Sequence, residues 1–244
     1  MTMPAFVSKG TAATTLGDIC AATWSLAPTL PGTINAGDII VLFVGLTVPA
    51  GTVTSFTTPS GYTLGAPSGS GAAEGAAYYY KVAAGTEDGS TVTMDGSFDS
   101  FSAARVIAQA YVFSNSGTGG YHAVGGTNTG SSTTPAFTSL TTTEANELAV
   151  GLVWAGVNTT IGNTTGETGG DWTEAAAEDV ASSRLLQCQT AGMASAGTLS
   201  GGTATLGSTG AWRTFSFALK EAAAAGIANK FVKGNRAVAR ASFF

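Results

Sequence analysis

Residues 37–44 read Gly37-Asp38-Ile39-Ile40-Val41-Leu42-Phe43-Val44, an acidic residue that opens an apolar run. Residues 146–153 read Asn146-Glu147-Leu148-Ala149-Val150-Gly151-Leu152-Val153 and repeat this arrangement 109 positions later. Short apolar runs of this kind, bounded by turn residues, are typical of β-strands. The pair therefore predicts two equivalent strands, one in each half of the chain.

Three further landmarks follow in the same order at nearly the same offset. They match residues 61–63 with 171–173, residues 77–85 with 183–192 after one insertion, and residues 104–106 with 212–214. A repeat at a fixed period decides the architecture before any single element does. The four matches predict two copies of one unit of about 105 residues.

The landmarks themselves have the composition of strands. Residues 78–82 are rich in aromatic and β-branched side chains, and Phe215, Phe217 and Leu219 recur at every second position. Clusters of Gly, Pro, Ser and Asp separate these runs at the spacing expected of a β-sandwich or jelly roll. We therefore expect an all-β fold with two related sandwich or jelly-roll units in tandem and a short C-terminal arm. The expected bounds are 1–116 for the first unit, 117–220 for the second and 221–244 for the arm.

Composition limits the class of protein. The chain has 244 residues, of which 44% are hydrophobic and 10% are charged, against about 25% charged residues in an average domain. This apolar content can offset the entropy of ordering, so we expect a packed protein. The longest apolar run, residues 39–46, is shorter than the ~20 residues of a membrane-spanning helix, so no membrane partner is expected. Residues 1–10 do not resemble a secretory signal, which favours synthesis in a cytoplasm.

Charge divides the chain into an acidic body and a basic end. Residues 1–219 hold five basic and 14 acidic side chains, a net charge of −9, whereas residues 220–244 carry a net charge of +4. An acidic body is a poor nucleic-acid ligand because phosphate neutralisation drives that affinity. Only the basic end is expected to contact nucleic acid or an acidic neighbour, and we expect it to dock on this protein's own body, on a second copy or on a neighbouring protein. The residues expected to make this contact are Ile227, Lys230, Phe231, Lys233, Arg236, Arg240, Phe243 and Phe244.

Catalytic groups are scarce in the sequence. His122 is the only histidine and lies in the predicted connection between the units, where a surface role is expected. The chain has neither a Gly-x-Ser-x-Gly elbow nor a phosphate-binding Gly-Lys pair. We therefore expect no enzyme activity, no catalytic residue and no cofactor.

Metal and disulfide sites are weakly indicated. Glu87 with Asp88, Asp95 with Asp99, and Glu178 with Asp179 form local acidic pairs, which most often satisfy turn backbone. A calcium ion at Asp95 and Asp99 is left open. Two cysteines, Cys20 and Cys188, are expected to be free thiols, with a disulfide between them also left open.

Aromatic and arginine side chains fall at matching places in the two units. Tyr62 and Trp172 are expected to fill equivalent core positions, and Arg105 and Arg213 to form equivalent ion pairs with body carboxylates. In the run of three tyrosines, Tyr78 and Tyr80 should share one face of a strand and Tyr79 the other. We expect at least one of these tyrosines to be exposed.

One group of motifs points to a protein class. Residues 59–63 (Pro-Ser-Gly-Tyr-Thr), residues 79–83 (Tyr-Tyr-Lys-Val-Ala) and Glu87 resemble a set that recurs in tandem β-sandwich proteins of tailed phages and bacterial surface proteins. The resemblance spans residues 35–220; the second unit keeps Trp172-Thr173 but replaces the tyrosine run. It implies a sandwich fold and a virion context, and it carries over no catalytic or binding residue.

This context leads to a functional expectation. We expect a bacteriophage virion structural protein, assembled in the bacterial cytoplasm, that decorates a capsid and attaches through its C-terminal arm. Its partners would be other virion proteins and copies of itself. The alternative is a tail or fibre component that binds host-surface glycan. Copy number, symmetry and the choice between capsid and tail are left open.

Overall fold

The computed structural model describes residues 3–15, 22–99, 104–114, 120–181 and 184–220, without the side chains of 123–124 and 176–181. Within these ranges the chain forms strands and turns and no helix, which confirms the all-β prediction. The strands are β1 (Ala5–Lys9), β2 (Ala13–Thr14), β3 (Thr23–Leu26), β4 (Ile39–Thr47), β5 (Val53–Thr57), β6 (Thr63–Ser68), β7 (Glu74–Val82), β8 (Met94–Phe98), β9 (Arg105–Ser114), β10 (Tyr121–Ser132), β11 (Leu140–Thr142), β12 (Glu147–Ala155), β13 (Ile161–Thr165), β14 (Thr173–Ala181), β15 (Arg184–Met193), β16 (Gly197–Leu199), β17 (Thr203–Leu206) and β18 (Gly210–Leu219).

Two large antiparallel sheets organise the molecule. The first has the order β1-β9-β4-β7-β6, with β2 also paired to β9, and the second has the order β10-β18-β12-β15-β14. The two repeated apolar strands, β4 and β12, lie at the centre of their sheets. The strand orders correspond position by position, as a duplicated unit would require. The tandem-unit bounds at residues 116 and 117 stay a prediction.

The acidic residues that open the central strands make the same local contact. Asp38 Oδ2 accepts the backbone N–H of Asn35 at 2.9 Å, and Glu147 Oε1 accepts that of Glu144 at 3.1 Å. Each carboxylate thus closes a turn that begins three residues earlier. Both side chains are buried, so these hydrogen bonds satisfy groups that water cannot reach.

The predicted equivalence of Arg105 and Arg213 is wrong by two residues. Ile39 of β4 pairs with Phe113 of β9, and its counterpart Leu148 of β12 pairs with Leu219 of β18. In this register Arg213 corresponds to Ile107, and Arg105 has a different counterpart. A slip of two residues keeps every side chain on the same face, so the hydrophobic pattern alone does not reveal it.

The two large sheets pack against each other. Their facing side chains form a central core that includes Val41, Phe43 and Tyr78 from the first sheet and Leu152 and Phe217 from the second. The rings of Tyr78 and Phe217 stack with centroids 4.8 Å apart and an interplanar angle of 11°. This central core joins the two halves of the chain.

The outward faces of both large sheets are also covered. The three-stranded sheet β3-β8-β5 packs on the first sheet, around side chains such as Leu42 and Trp24. The pairs β11-β16 and β13-β17 pack on the second sheet, around Val153 and Trp172. The result is a body of four layers. Because the central strands are buried on both faces, their sequences are continuously apolar.

Gly45 of the first sheet lies against Trp154 of the second. They stand at corresponding positions of β4 and β12, 109 residues apart. A Cβ atom built on Gly45 would overlap the indole ring of Trp154, which is fully buried. Glycine at position 45 therefore makes room for the tryptophan.

Cys188 is a free thiol in the central core, and burial raises its pKa. Cys20 lies outside the described residues. In the part of the chain that the structure describes, no helix has the length and apolar character needed to span a bilayer.

Candidate functional site

The three segments that carry the phage-protein resemblance come together around one pocket. Ser60 and Tyr62 lie in the turn before β6, Lys81 near the end of β7, and Glu87 in the connection to β8. These side chains line a cavity of about 340 Å³. It lies at the margin of the outer core of the first sheet, which is the core between that sheet and the three-stranded sheet β3-β8-β5. Sequence patterns indicated only a structural role for these residues, because the segments that form the pocket are separated along the chain.

A tight turn places Tyr62. Its backbone N–H donates to the carbonyl of Pro59 at 3.1 Å, and Gly61 between them has a φ of 79°. That left-handed conformation favours glycine. The Tyr62 side chain is half-buried and packs on the outer core, as the core prediction required. Trp172, at the matching place in the second half, is buried in the outer core of the second sheet.

Glu87 is held by a dense set of donors. Its carboxylate accepts the backbone N–H groups of Ala84, Gly85 and Thr86 at 2.9–3.1 Å. The ammonium of Lys81 lies 2.8 Å from Oε1. Burial alone would raise the pKa of Glu87, but the Ala84 hydrogen bond, Lys81 and the Thr86 hydrogen bond together lower it to about 2. Glu87 is therefore ionised at neutral pH, and it fixes the turn.

This depressed pKa predicts a pH-dependent contribution to stability. Because the folded pKa lies below the ordinary value of 4.5, the contribution is fully present above pH ~4.5 and is lost as the pH falls through about 2. Glu87→Gln should reduce the free energy of unfolding by ~1–3 kcal/mol at pH 7 and by progressively less between pH 5 and 2. Urea unfolding measured across this range checks the prediction. Asp171→Asn, at an exposed carboxylate, is the control. The prediction is contradicted if the free energies of unfolding of wild type and Glu87→Gln differ by the same amount at every pH.

Tyr62 and Lys81 form the polar wall of the pocket. The Lys81 ammonium lies 5.8 Å from the centroid of the Tyr62 ring. Burial and the negative charge of Glu87 raise the pKa of Tyr62, so its hydroxyl stays protonated. That hydroxyl oxygen is buried and has no hydrogen-bond partner among the described residues. Among the residues that line the cavity, it is the one buried side-chain polar atom without a partner in the part of the chain that the structure describes.

The rest of the lining mixes hydroxyl and apolar groups. The hydroxyl side chains are those of Ser60, Ser90, Thr91 and Thr93, and the apolar ones those of Leu30, Pro59 and Val92. Ser90 Oγ donates to the Glu87 carbonyl at 2.7 Å. Lys81 and Glu87 cancel each other's charge. This arrangement suits binding of a neutral polar ligand, because the paired charges leave no net charge on the lining.

His122 is placed differently from the prediction. It lies within β10 rather than in a loop, and its Nδ1 is 2.8 Å from Oε1 of the buried Glu147. Its Nε2 lies 3.4 Å from the Thr143 hydroxyl and 3.8 Å from Glu144. The prediction failed because residues 121–132 pair with β18 as a strand despite their Gly- and Ser-rich composition. Together with Lys220, which contacts Glu144 at 3.1 Å, the histidine closes this end of the second sheet.

Arginines close the opposite end of the central core. Arg213 Nη2 donates to the backbone carbonyl of Glu74 at 3.2 Å and lies 3.9 Å from its carboxylate. This confirms the expected ion pair for Arg213 and joins the second sheet to the first. Arg184 Nη1 donates to the carbonyl of Gly156, and burial and the charge of Arg105 lower its pKa. An ion pair of Arg105 stays a prediction.

Two of the paired carboxylates bind backbone N–H groups of segments that are distant along the chain. Asp99 accepts the backbone N–H and the hydroxyl of Thr52 at 2.6 and 2.7 Å. Asp88 accepts the backbone N–H of Ile34 at 2.7 Å. Across the described ranges no group of three or more His, Cys, Asp or Glu side chains is arranged to hold a metal ion. The side chains of Glu178 and Asp179 lie outside the description.

The tyrosine run alternates between two cores. Tyr78 and Tyr80 face the central core, where Tyr80 stacks on Tyr121 with centroids 4.1 Å apart, while Tyr79 faces the outer core. The predicted alternation is confirmed. Tyr78 and Tyr79 are fully buried and Tyr80 is half-buried, because both faces of the first sheet are covered. The expectation of an exposed tyrosine is therefore wrong.

The predicted docking arm cannot be compared with the structure. Its eight residues lie outside the described residues: Ile227, Lys230, Phe231, Lys233, Arg236, Arg240, Phe243 and Phe244. The described chain ends at Lys220, beside the cluster of His122 and Glu144.

Comparison with known proteins finds no matching family model, no matching curated protein and no matching solved structure.

Proposed function

We propose that the chain is a non-enzymatic structural protein of a bacteriophage particle that decorates the capsid and attaches through residues 221–244. The observation that supports this best is that the described body exposes few large hydrophobic side chains. In the described ranges the exposed large hydrophobic side chains are Val7 and Leu64, on opposite edge strands of the first sheet. They form no common patch, and broad apolar patches are what mark protein-binding surfaces. We therefore assign docking to the arm, residues 221–244.

The distribution of charge also supports docking through the arm. The body carries a net charge of −9 and the end a net charge of +4, so the arm complements the surface of a neighbouring copy. The arm also carries Phe231, Phe243 and Phe244, which supply apolar contact area. Many copies attached in this way would hold a shell together through multivalency, although each contact is weak.

Substitutions in the arm test the attachment. The full-length variant with Phe231→Ser, Phe243→Ser and Phe244→Ser should lose at least ~10-fold in affinity for particles that lack the protein, because the apolar anchors are removed. Co-sedimentation with the particles measures this. Leu64→Ser, which removes an exposed apolar side chain from the body, is the matched control and should bind normally. Equal binding by the arm variant and wild type would contradict attachment through the arm.

The alternative is a tail or fibre component that binds host-surface glycan. The pocket beside Tyr62 supports this candidate, because it combines a neutral charge balance with hydroxyl and apolar lining. A decorating protein would be present in many copies, and a receptor-binding component in few. Free protein added to host cells would block infection only in the second case.

A further inference from the structure

We propose that the pocket between Tyr62, Lys81 and Glu87 binds one uncharged sugar unit of a glycan. The proposal rests on the glycan-binding alternative for the source of the sugar, but the site itself is defined by its own lining. It assigns a ligand class to a cavity that the structural role of the body leaves without a use.

The size of the cavity fits a small ligand. Its volume of about 340 Å³ lies at the lower end of the range of ~300–1,000 Å³ that is usual for small-molecule sites. It is walled by segments that are fixed independently, since Tyr62 is held by its turn and Glu87 by backbone donors. A largely preformed site of this kind loses little entropy when it binds a ligand.

The charges of the pocket select a neutral ligand. The Lys81 ammonium lies 2.8 Å from the Glu87 carboxylate, so neither charge is left over for an ionic ligand. Both Glu87 oxygens already accept backbone N–H groups, which leaves the carboxylate poorly suited to bind a cation. The Lys81 ammonium retains N–H groups that can donate hydrogen bonds to a hydroxyl oxygen of the ligand.

The polar and apolar groups of the lining match the two faces of a sugar ring. The Tyr62 hydroxyl is buried without a partner, and buried polar groups normally have one. That oxygen has almost no accessible surface, so a sugar in the cavity would contact the exposed hydroxyl groups of Ser60 and Thr93. Pro59 and Val92 offer apolar surface to the C–H face of a ring.

The same geometry favours binding over glycoside cleavage. Hydrolysis requires two carboxyl groups flanking the bond, one of which must be protonated to act as the acid. Glu87 is the only carboxylate among the groups that line the pocket, and its donors keep it ionised. The sugar would therefore be held and released unchanged.

Free sugars and the purified full-length protein provide the test. Glucose, galactose, mannose and N-acetylglucosamine are titrated one by one and followed by saturation-transfer NMR and calorimetry. Glucuronic acid and glucosamine serve as the charged probes. At least one neutral sugar should saturate the protein and bind more tightly than either charged probe. Because no particle is involved, failure here would leave the proposed capsid role intact.

Variants connect the binding to the pocket. Ser60→Ala and Thr93→Val each remove one exposed hydroxyl group from the lining, and each should weaken binding by ~2–10-fold. Tyr80→Phe, which faces the central core, is the matched control and should leave binding unchanged. Equal thermal midpoints for all variants show that folding is intact. The proposal is overturned if no neutral sugar binds, if a charged probe binds at least as tightly, or if both pocket variants bind as wild type.

Discussion

Trp154→Ala should lower the free energy of unfolding by ~3–5 kcal/mol, the usual cost of removing a fully buried large aromatic side chain. Trp154 has no exposed surface and lies in the central core between the two large sheets. Its loss leaves a cavity that the facing sheet fills only partly, because Gly45 opposite it has no side chain. Urea unfolding followed by circular dichroism measures the effect.

A double-mutant cycle identifies the contact behind this cost. Gly45→Val places a side chain where the indole ring lies and should cost at least ~1–3 kcal/mol. In the double variant the valine fills part of the cavity left by Trp154→Ala, so the combined cost should fall short of the sum by ~1–3 kcal/mol. Gly32→Ala, where a Cβ meets no neighbouring atom, is the control and should stay within ~0.5 kcal/mol of wild type. Additive costs would show that the two sheets do not meet at these residues.

Trp172→Ala should be nearly as costly, also at ~3–5 kcal/mol. Trp172 lies in the outer core of the second sheet, where its ring stacks on Phe137 with centroids 5.1 Å apart. Because the second sheet shares the central core with the first, we expect the variant to unfold in one transition. The transitions seen by circular dichroism and by the fluorescence of the remaining tryptophans should coincide. Two separated transitions, with Leu64→Ala unfolding normally in one, would contradict a cooperative four-layer body.

Strand positions could be predicted because they depend on local patterns. The alternation of Phe215, Phe217 and Leu219 indicated one face of a strand, and all three point into the central core. The run from Ile39 to Leu46 indicated a strand as well. What covers each face of that strand depends on distant segments, so the four layers did not follow from the sequence.

The repeat shows both the use and the limit of pattern matching. The match of Asp38 with Glu147 agrees with their common contact to a backbone N–H group. The match of Arg105 with Arg213 failed by two positions. Both arginines lie on the strand face that points to the central core, so the apolar pattern could not distinguish the two registers. An apolar pattern fixes the face of a strand more firmly than its position along the partner.

The pocket lies beyond what local patterns can show. Tyr62, Lys81 and Glu87 belong to a turn, a strand and a connection, and each has a plausible structural role by itself. The resemblance grouped their segments but supplied no geometry. The unpartnered Tyr62 hydroxyl and the Lys81–Glu87 pair became visible only when the chain was folded.

Electron cryo-microscopy of intact particles, with a count of this chain, tests the proposed function most directly. A decorating protein should appear in many copies on the shell, with density for the four-layer body and for residues 221–244 against a neighbouring subunit. Particles assembled with protein that ends at Leu219 should lose this density. A few copies confined to the tail, or undiminished occupancy after the truncation, would contradict capsid decoration through the arm.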